Sequence, residues 1–186
     1  MIIRGVFATM VAAAFFCVMG TPARAQEDNY GGLNAMDHKF AQNAAAAGLA
    51  KISLGQLAQE KSQNAAVKEF GKFMVSENTK LSEQLKVIFA QEKLQFPANL
   101  NDEYEAAYKR LAQLSGAAFD KAYVQEMLDE YTQDIAEYEL QSSSGQDAAI
   151  TQFATKTLPT LRDYLKAATQ MVVQIEPADP KPNKKR

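Results

Sequence analysis

Cysteine and histidine are nearly absent: the 186 residues hold one of each, Cys17 and His38. That scarcity removes whole classes of chemistry. Cys17 lies in an N-terminal apolar run expected to be cleaved, so the mature chain has no disulfide, thiolate nucleophile or cysteine-ligated metal. One histidine cannot supply the paired Glu-x-x-His sets that hold metal in helical bundles, and the motif itself does not occur. No Ser-His-Asp or Cys-His arrangement can be built around His38, which reads as a surface or capping residue near a helix start. A glycine-rich phosphate loop is missing. No segment alternates apolar and polar residues in the two-residue period of a strand with hairpin signals. No apolar run reaches the roughly 20 residues that a membrane-spanning helix needs.

What the N-terminus does have is an export signal. Met1-Ile2-Ile3-Arg4 carries one positive charge, and Val6 to Met19 is apolar except for Thr9. Ala23-Arg24-Ala25 then has the small-x-small form that signal peptidase accepts, so residues 1–25 are expected to be a signal peptide cleaved before Gln26, with the mature protein in a bacterial periplasm. Cys17 follows Phe16, which argues against a lipoprotein, and no twin arginine precedes the run.

Removing Arg4 and Arg24 leaves 18 basic residues against 22 acidic, a net charge near −4. That sign is the opposite of a nucleic-acid binder's. Lys181, Lys184, Lys185 and Arg186 hold four of the positives in a proline-broken tail, residues 176–186, which reads as solvated and disordered. Its basic end leaves room for peripheral contact with anionic lipid, and no more than that.

Residues 26–33 read as a flexible lead, and 34–175 as the domain. Asn34 caps a first helix running to about Ser62, with Met36, Phe40, Ala44, Ala47, Leu54 and Ala58 on its stripe. Asn64 caps a second, reaching about Lys93, with a seam of Val67, Phe70, Met74, Leu81, Leu85 and Ile88; Phe96-Pro97 ends it. Asn101 caps a short helix, about Asp102 to Leu114. Ser115 caps the third long helix, with Val124, Met127, Leu128, Tyr131, Ile135 and Tyr138 on one face. Ser142 to Gly145 is expected to turn. The fourth long helix carries Ile150, Phe153, Leu161, Leu165, Ala168, Val172 and Ile175, with a kink or restart near Thr157 caused by Pro159. Four amphipathic helices cannot bury their stripes singly. The expected fold is all-α, an antiparallel four-helix bundle with a short extra helix in the middle connection.

Polar residues on the stripes are the candidate site. Glu77 falls on the second-helix seam where an apolar residue belongs. Lys51 lies between Ala47 and Leu54 on the first. Lys51 is 12 residues before Gln63 in the turn and Glu77 is 14 after, which sets them at nearly one level in an antiparallel pair. With Asn78, Tyr131 and Tyr164 they are expected to form an interior polar cluster. The alternative stays open: Lys51 and Glu77 lean out to water and the tyrosines fill the core. Glu126, Glu130 and Asp134 step by four along the third long helix, the pattern of a solvated face rather than a cation site.

The same stretches carry a family resemblance. Asp37-x-x-Phe40, Leu54-Gly55-Gln56-Leu57-Ala58, Val67-Lys68-Glu69-Phe70, Phe119-Asp120-Lys121-Ala122-Tyr123 and Thr157-Leu158-Pro159-Thr160-Leu161 resemble the family known as domain of unknown function 4142, over about residues 35–173. The resemblance implies an exported, bacterial, ferritin-like bundle. It also implies Glu where this chain has Lys51, Asp-His where it has Glu77-Asn78, and His where it has Tyr131 and Tyr164. Three histidines are replaced and one acid has become a base, so a cation at that level would meet an ammonium.

The expectation for function is therefore a non-catalytic binding or envelope-associated protein. Its partner is an envelope protein or a small ligand, with no cofactor, no metal and no nucleic acid. The alternative is a ferritin-like oxidase or metal store built on oxygen ligands alone, such as Glu60, Glu69, Glu77, Glu126 and Glu130.

Overall fold

A computed structural model describes residues 32–175. The expected signal peptide, most of the expected lead and the basic tail lie outside the described residues. Five helices follow in order: α1 (Ala35–Lys61), α2 (Ala65–Gln91), α3 (Asp102–Ala112), α4 (Gly116–Ser144) and α5 (Ala148–Ile175). The described residues contain no strand. α1 and α2 form one antiparallel hairpin and α4 and α5 another, α1 lies against α4, and α3 packs across α1 and α4 in the middle connection.

Local chemistry sets the helix starts. The side chains of Asn34, Asn64 and Asn101 each accept a backbone N–H of the first turn that would otherwise lack a partner. Ser115 occupies the cap of α4 without such a bond. α2 ends earlier than its proline suggests. Lys93 takes a left-handed conformation, φ 56°, and the Leu94 N–H returns to the Phe89 carbonyl at 2.8 Å. This is the helix-ending loop usually built on glycine.

Two expectations need correction. Ser142, Ser143 and Ser144 are the last turn of α4, not a turn between helices. Ser142 and Ser143 fold their hydroxyls back onto the Glu139 and Leu140 carbonyls, at 3.0 and 3.1 Å, which lets short polar residues stay helical. α5 does not restart near Thr157; it is one helix with Pro159 inside. Pro159 is exposed, while its neighbours Leu158 and Leu161 are buried. Packing of that apolar face offsets the roughly 3 kcal/mol that an interior proline costs.

The hairpins close tightly because α1 is rich in small residues. Ala41, Ala45 and Ala58 are almost wholly buried. A Cβ placed on Gly55 would lie 2.7 Å from the Gly71 carbonyl oxygen, and one on Gly71 would lie 2.7 Å from that of Gly55. Around this crossing Leu54, Val67, Met74, Leu85, Val124, Met127, Ile150 and Leu161 make a single core. Each large aliphatic side chain buried there stabilises the fold by about 1.5–3 kcal/mol.

Candidate functional site

Lys51 is the centre of the polar interior. Its side chain is 1% exposed. α4 runs alongside α1 and presents two carboxylates one turn apart, Asp134 Oδ2 at 2.9 Å and Glu130 Oε2 at 3.2 Å from the Lys51 Nζ. Tyr104, from α3, lies where the charges of Lys51, Glu130 and Asp134 all bear on its hydroxyl. Burial by itself would push the Lys51 ammonium down, but the charges of Asp134 and Glu130 outweigh it and hold the pKa above its ordinary value. Burial pushes the Asp134 carboxyl up, and Lys51 pulls it part of the way back. The acids Glu130 and Asp134, expected on a solvated face, are thus largely covered and turned onto a buried cation.

Lys51 does not pair with Glu77. The level expected for the two is kept, since Gly55 lies beside Gly71 and Gly48 beside Ser82 on either side of it. The rotation differs. The buried face of α2 runs Met74, Asn78, Ser82, Leu85, and successive helix residues are about 100° apart, so burying Asn78 swings Glu77 toward α5. There Glu77 meets Lys80 Nζ at 2.5 Å and accepts the Tyr164 hydroxyl at 3.0 Å. The Lys80 contact comes first in holding the Glu77 carboxyl below its ordinary range; burial opposes it and the Tyr164 bond assists it.

Tyr131 joins the two halves. It is fully buried. Its hydroxyl donates to the Met74 sulfur at 2.6 Å, and Asn78 Nδ2 lies 3.5 Å from the same oxygen. The Lys51 ammonium is 5.5 Å from the centre of its ring, within the range of a cation–π contact. The Tyr164 ring meets it edge-on at 5.7 Å. Lys51, Asn78, Tyr131, Tyr164 and Glu77 therefore form one chain of neighbours, with Tyr131 in the middle and Lys51 and Glu77 at opposite ends.

The cavity beside Lys51, Asn78, Ser82 and Asp134 is about 10 Å³, room for one water. A second, about 70 Å³ and polar, lies between α1, α3 and α4 against Asn43, Tyr104, Asp134 and Glu137.

Among the described residues no set of metal ligands comes together. No group of three His, Cys, Asp or Glu among them could hold a metal ion. The oxygen set proposed as an alternative does not converge: Glu60 is exposed, Glu69 pairs with Lys72, Glu77 with Lys80, Glu126 with Arg110, and Glu130 with Lys51. At the centre an ammonium already occupies the space between the carboxylates that a cation would need.

Sequence reasoning missed two buried acids. Asp37, 1% exposed, accepts Gln141 Nε2 at 2.5 Å and the backbone N–H groups of Gln146 and Asp147 at 3.2 and 2.8 Å. Asp120 accepts the Ser62 hydroxyl at 2.5 Å. Each hairpin thus holds the turn of the other. Both acids stand in the motifs that carry the family resemblance, which is the one signal that marked them.

The family described as "Domain of unknown function (DUF4142)" matches residues 22–171. No curated protein matches the chain. Solved structures that share its fold include two DUF305 proteins. One is a fragment of a DUF305 protein from Deinococcus radiodurans, 12% identical, with a TM-score of 0.67 over 76% of this chain and 98% of that one. The other is a DUF305 protein from Streptomyces coelicolor, provisionally described as secreted, 9% identical, with a TM-score of 0.64 over 75% of this chain and 92% of that one.

Proposed function

Because the chain belongs to the DUF4142 family, whose description assigns no activity, we propose its role from the centre of the bundle: an exported, non-catalytic binding protein of the bacterial envelope, on a ferritin-like scaffold whose metal centre is replaced by the Lys51 network. The observation that carries this reading is the ion pairing of buried Lys51 with Asp134 and Glu130. The charge a metal would bring is supplied by the protein itself, and the spaces beside it are small, about 10 Å³ and about 70 Å³. A centre so filled stabilises or rigidifies a scaffold and leaves little room for a substrate. Recognition then falls to the surface, toward an envelope protein or a small ligand.

Export is supported by the signal-peptide pattern with its cleavage site after Ala25. No described helix is long and apolar enough to cross a membrane.

Elemental analysis of the protein purified from the periplasm tests the reading. The expected result is far less than one equivalent of iron, manganese or copper, before and after incubation with each ion. Stoichiometric metal that survives dialysis would establish the carboxylate-ligand oxidase or storage protein instead.

A further inference from the structure

The aromatic chain that leaves the core has an unusual end. The chain contains no tryptophan, and the described residues contain no cysteine. Tyrosine and methionine are then the side chains of the domain that give up an electron most readily. Tyr164 is 4% exposed, and its ring meets Phe73 edge-on at 5.3 Å. Phe73 is 40% exposed on α2. One thin layer of side chain therefore separates the Tyr164 ring from solvent.

Losing an electron makes a phenol a very strong acid, so its oxidation is easy only where a base waits for the proton. Tyr164, Tyr131, Tyr123 and Tyr104 differ in this respect. Tyr164 donates its hydroxyl to the Glu77 carboxylate at 3.0 Å, and that carboxylate is partly exposed. Tyr131 donates to a thioether sulfur, a poor base, and the Lys51 ammonium over its ring opposes removal of an electron. The buried Tyr123 hydroxyl has no hydrogen-bond partner. Tyr104 does lean on a carboxylate, Glu130, but buried Lys51 shares that carboxylate and bears on both groups. Lys80, which shares Glu77, is 62% exposed and lowers that carboxyl's pKa, yet the carboxylate remains a far stronger base than a thioether or than a phenol that has lost an electron.

We propose that the Tyr164–Glu77 pair is a one-electron donor site, serving one-electron oxidants that reach the α2–α5 face at Phe73. The step balances within the pair. The oxidant gains one electron, the Tyr164 O–H bond breaks, its proton passes to Glu77 Oε2, and a neutral tyrosyl radical faces a protonated carboxyl. A later one-electron reductant returns the pair to its starting state. The site does not depend on the role proposed for the Lys51 centre.

The test is photo-oxidation of the full mature chain by ruthenium tris(bipyridyl) with persulfate, read by electron paramagnetic resonance and by transient absorbance of the phenoxyl radical. Wild type is expected to give a tyrosyl signal that falls in Tyr164→Phe and is unchanged in Tyr131→Phe and Tyr104→Phe. Glu77→Gln keeps the phenol and removes the base, and is expected to slow radical formation about a hundredfold. Circular dichroism checks that each variant is folded; Glu77→Gln alters only a partly exposed group and carries the test by itself should Tyr164→Phe fail to fold. A signal unchanged in Tyr164→Phe, or equal rates in Glu77→Gln and wild type, would overturn the proposal.

Discussion

Asp37, on the third residue of α1, accepts the backbone N–H of Asp147 at 2.8 Å and so caps α5, a helix in the other hairpin. Asp147 then accepts the Ile150 N–H at 2.9 Å within α5 itself. Across the bundle, Asp120 near the start of α4 holds Ser62, the cap residue that ends α1, at 2.5 Å. Two acids at helix starts thus tie each hairpin to the turn of its neighbour, and the bundle is clasped at both ends without a disulfide.

Asp37→Asn should cost about 2 kcal/mol or more, because charge-assisted bonds to two backbone N–H groups and to Gln141 are weakened together. Asp120→Asn, with one hydroxyl partner, should cost about 1 kcal/mol. Urea unfolding of the two variants gives the ratio directly. Equal costs would show that the bonds at Gln146 and Asp147 contribute little.

Lys51→Met should destabilise by about 3–5 kcal/mol, since it leaves Asp134 and Glu130 together without their cation. The partner left stranded is Asp134, not Glu77. The double variant Lys51→Met, Asp134→Leu should therefore recover much of the loss, while Lys51→Met, Glu77→Leu should not. Recovery in the second pair and none in the first would contradict the geometry.

Gly55→Ala and Gly71→Ala each drive a Cβ to 2.7 Å from a backbone carbonyl oxygen. Backbone cannot rotate away as a side chain does, so each should lose about 1–3 kcal/mol. The loss should exceed any gain from alanine's better helix propensity, and a thermal melt that shifts upward would refute the close crossing.

Lys93→Gly should raise stability by about 1 kcal/mol, because Lys93 sits at φ 56° where a Cβ crowds the following carbonyl. Lys93→Ala keeps the strain and should leave stability nearly unchanged. If both variants behave alike, the left-handed conformation is not the source.

Stability should fall steeply on the alkaline side. Burial is the largest cause for each in raising the phenol pKa values of Tyr104, Tyr123, Tyr131, Tyr138 and Tyr164. The unfolded chain then loses these protons first as the pH passes about 10, and stability declines with rising pH. Lys51 adds in the same direction: with its folded pKa raised, its contribution is complete below about 10.4 and is lost as the pH climbs through the folded value. Tyrosinate absorbance from these five should appear together with loss of the helical circular dichroism signal. Ionisation of all five while the helices persist would show that they are not buried.

Helix caps and stripes were legible because they rest on local rules. Asn34, Asn64 and Asn101 announce helix starts through their own side chains, and the expected stripes appear as the core. The serines at the end of α4 misled, and Pro159 does not break α5 into two helices, since tertiary packing overrode what short polar residues and proline do in isolation. Glu77 misled for a subtler reason. Taking Met74, 77 and Leu81 as the seam satisfies the helical period as well as Met74, Asn78 and Ser82 do, and apolar content favoured the first.

The sequence alone determined an all-helical chain, its hairpin pairing and the level at which Lys51 would lie, because periodicity and turn position fix which residues share a height. It could not determine rotation. Whether Lys51 meets Glu77 or Asp134 turns on about 100° about a helix axis, and that angle is set by which polar groups find partners when four helices close together. Only the packed bundle decided that Asn78 goes in, that Glu77 serves Tyr164, and that a buried ammonium takes its charge balance from α4.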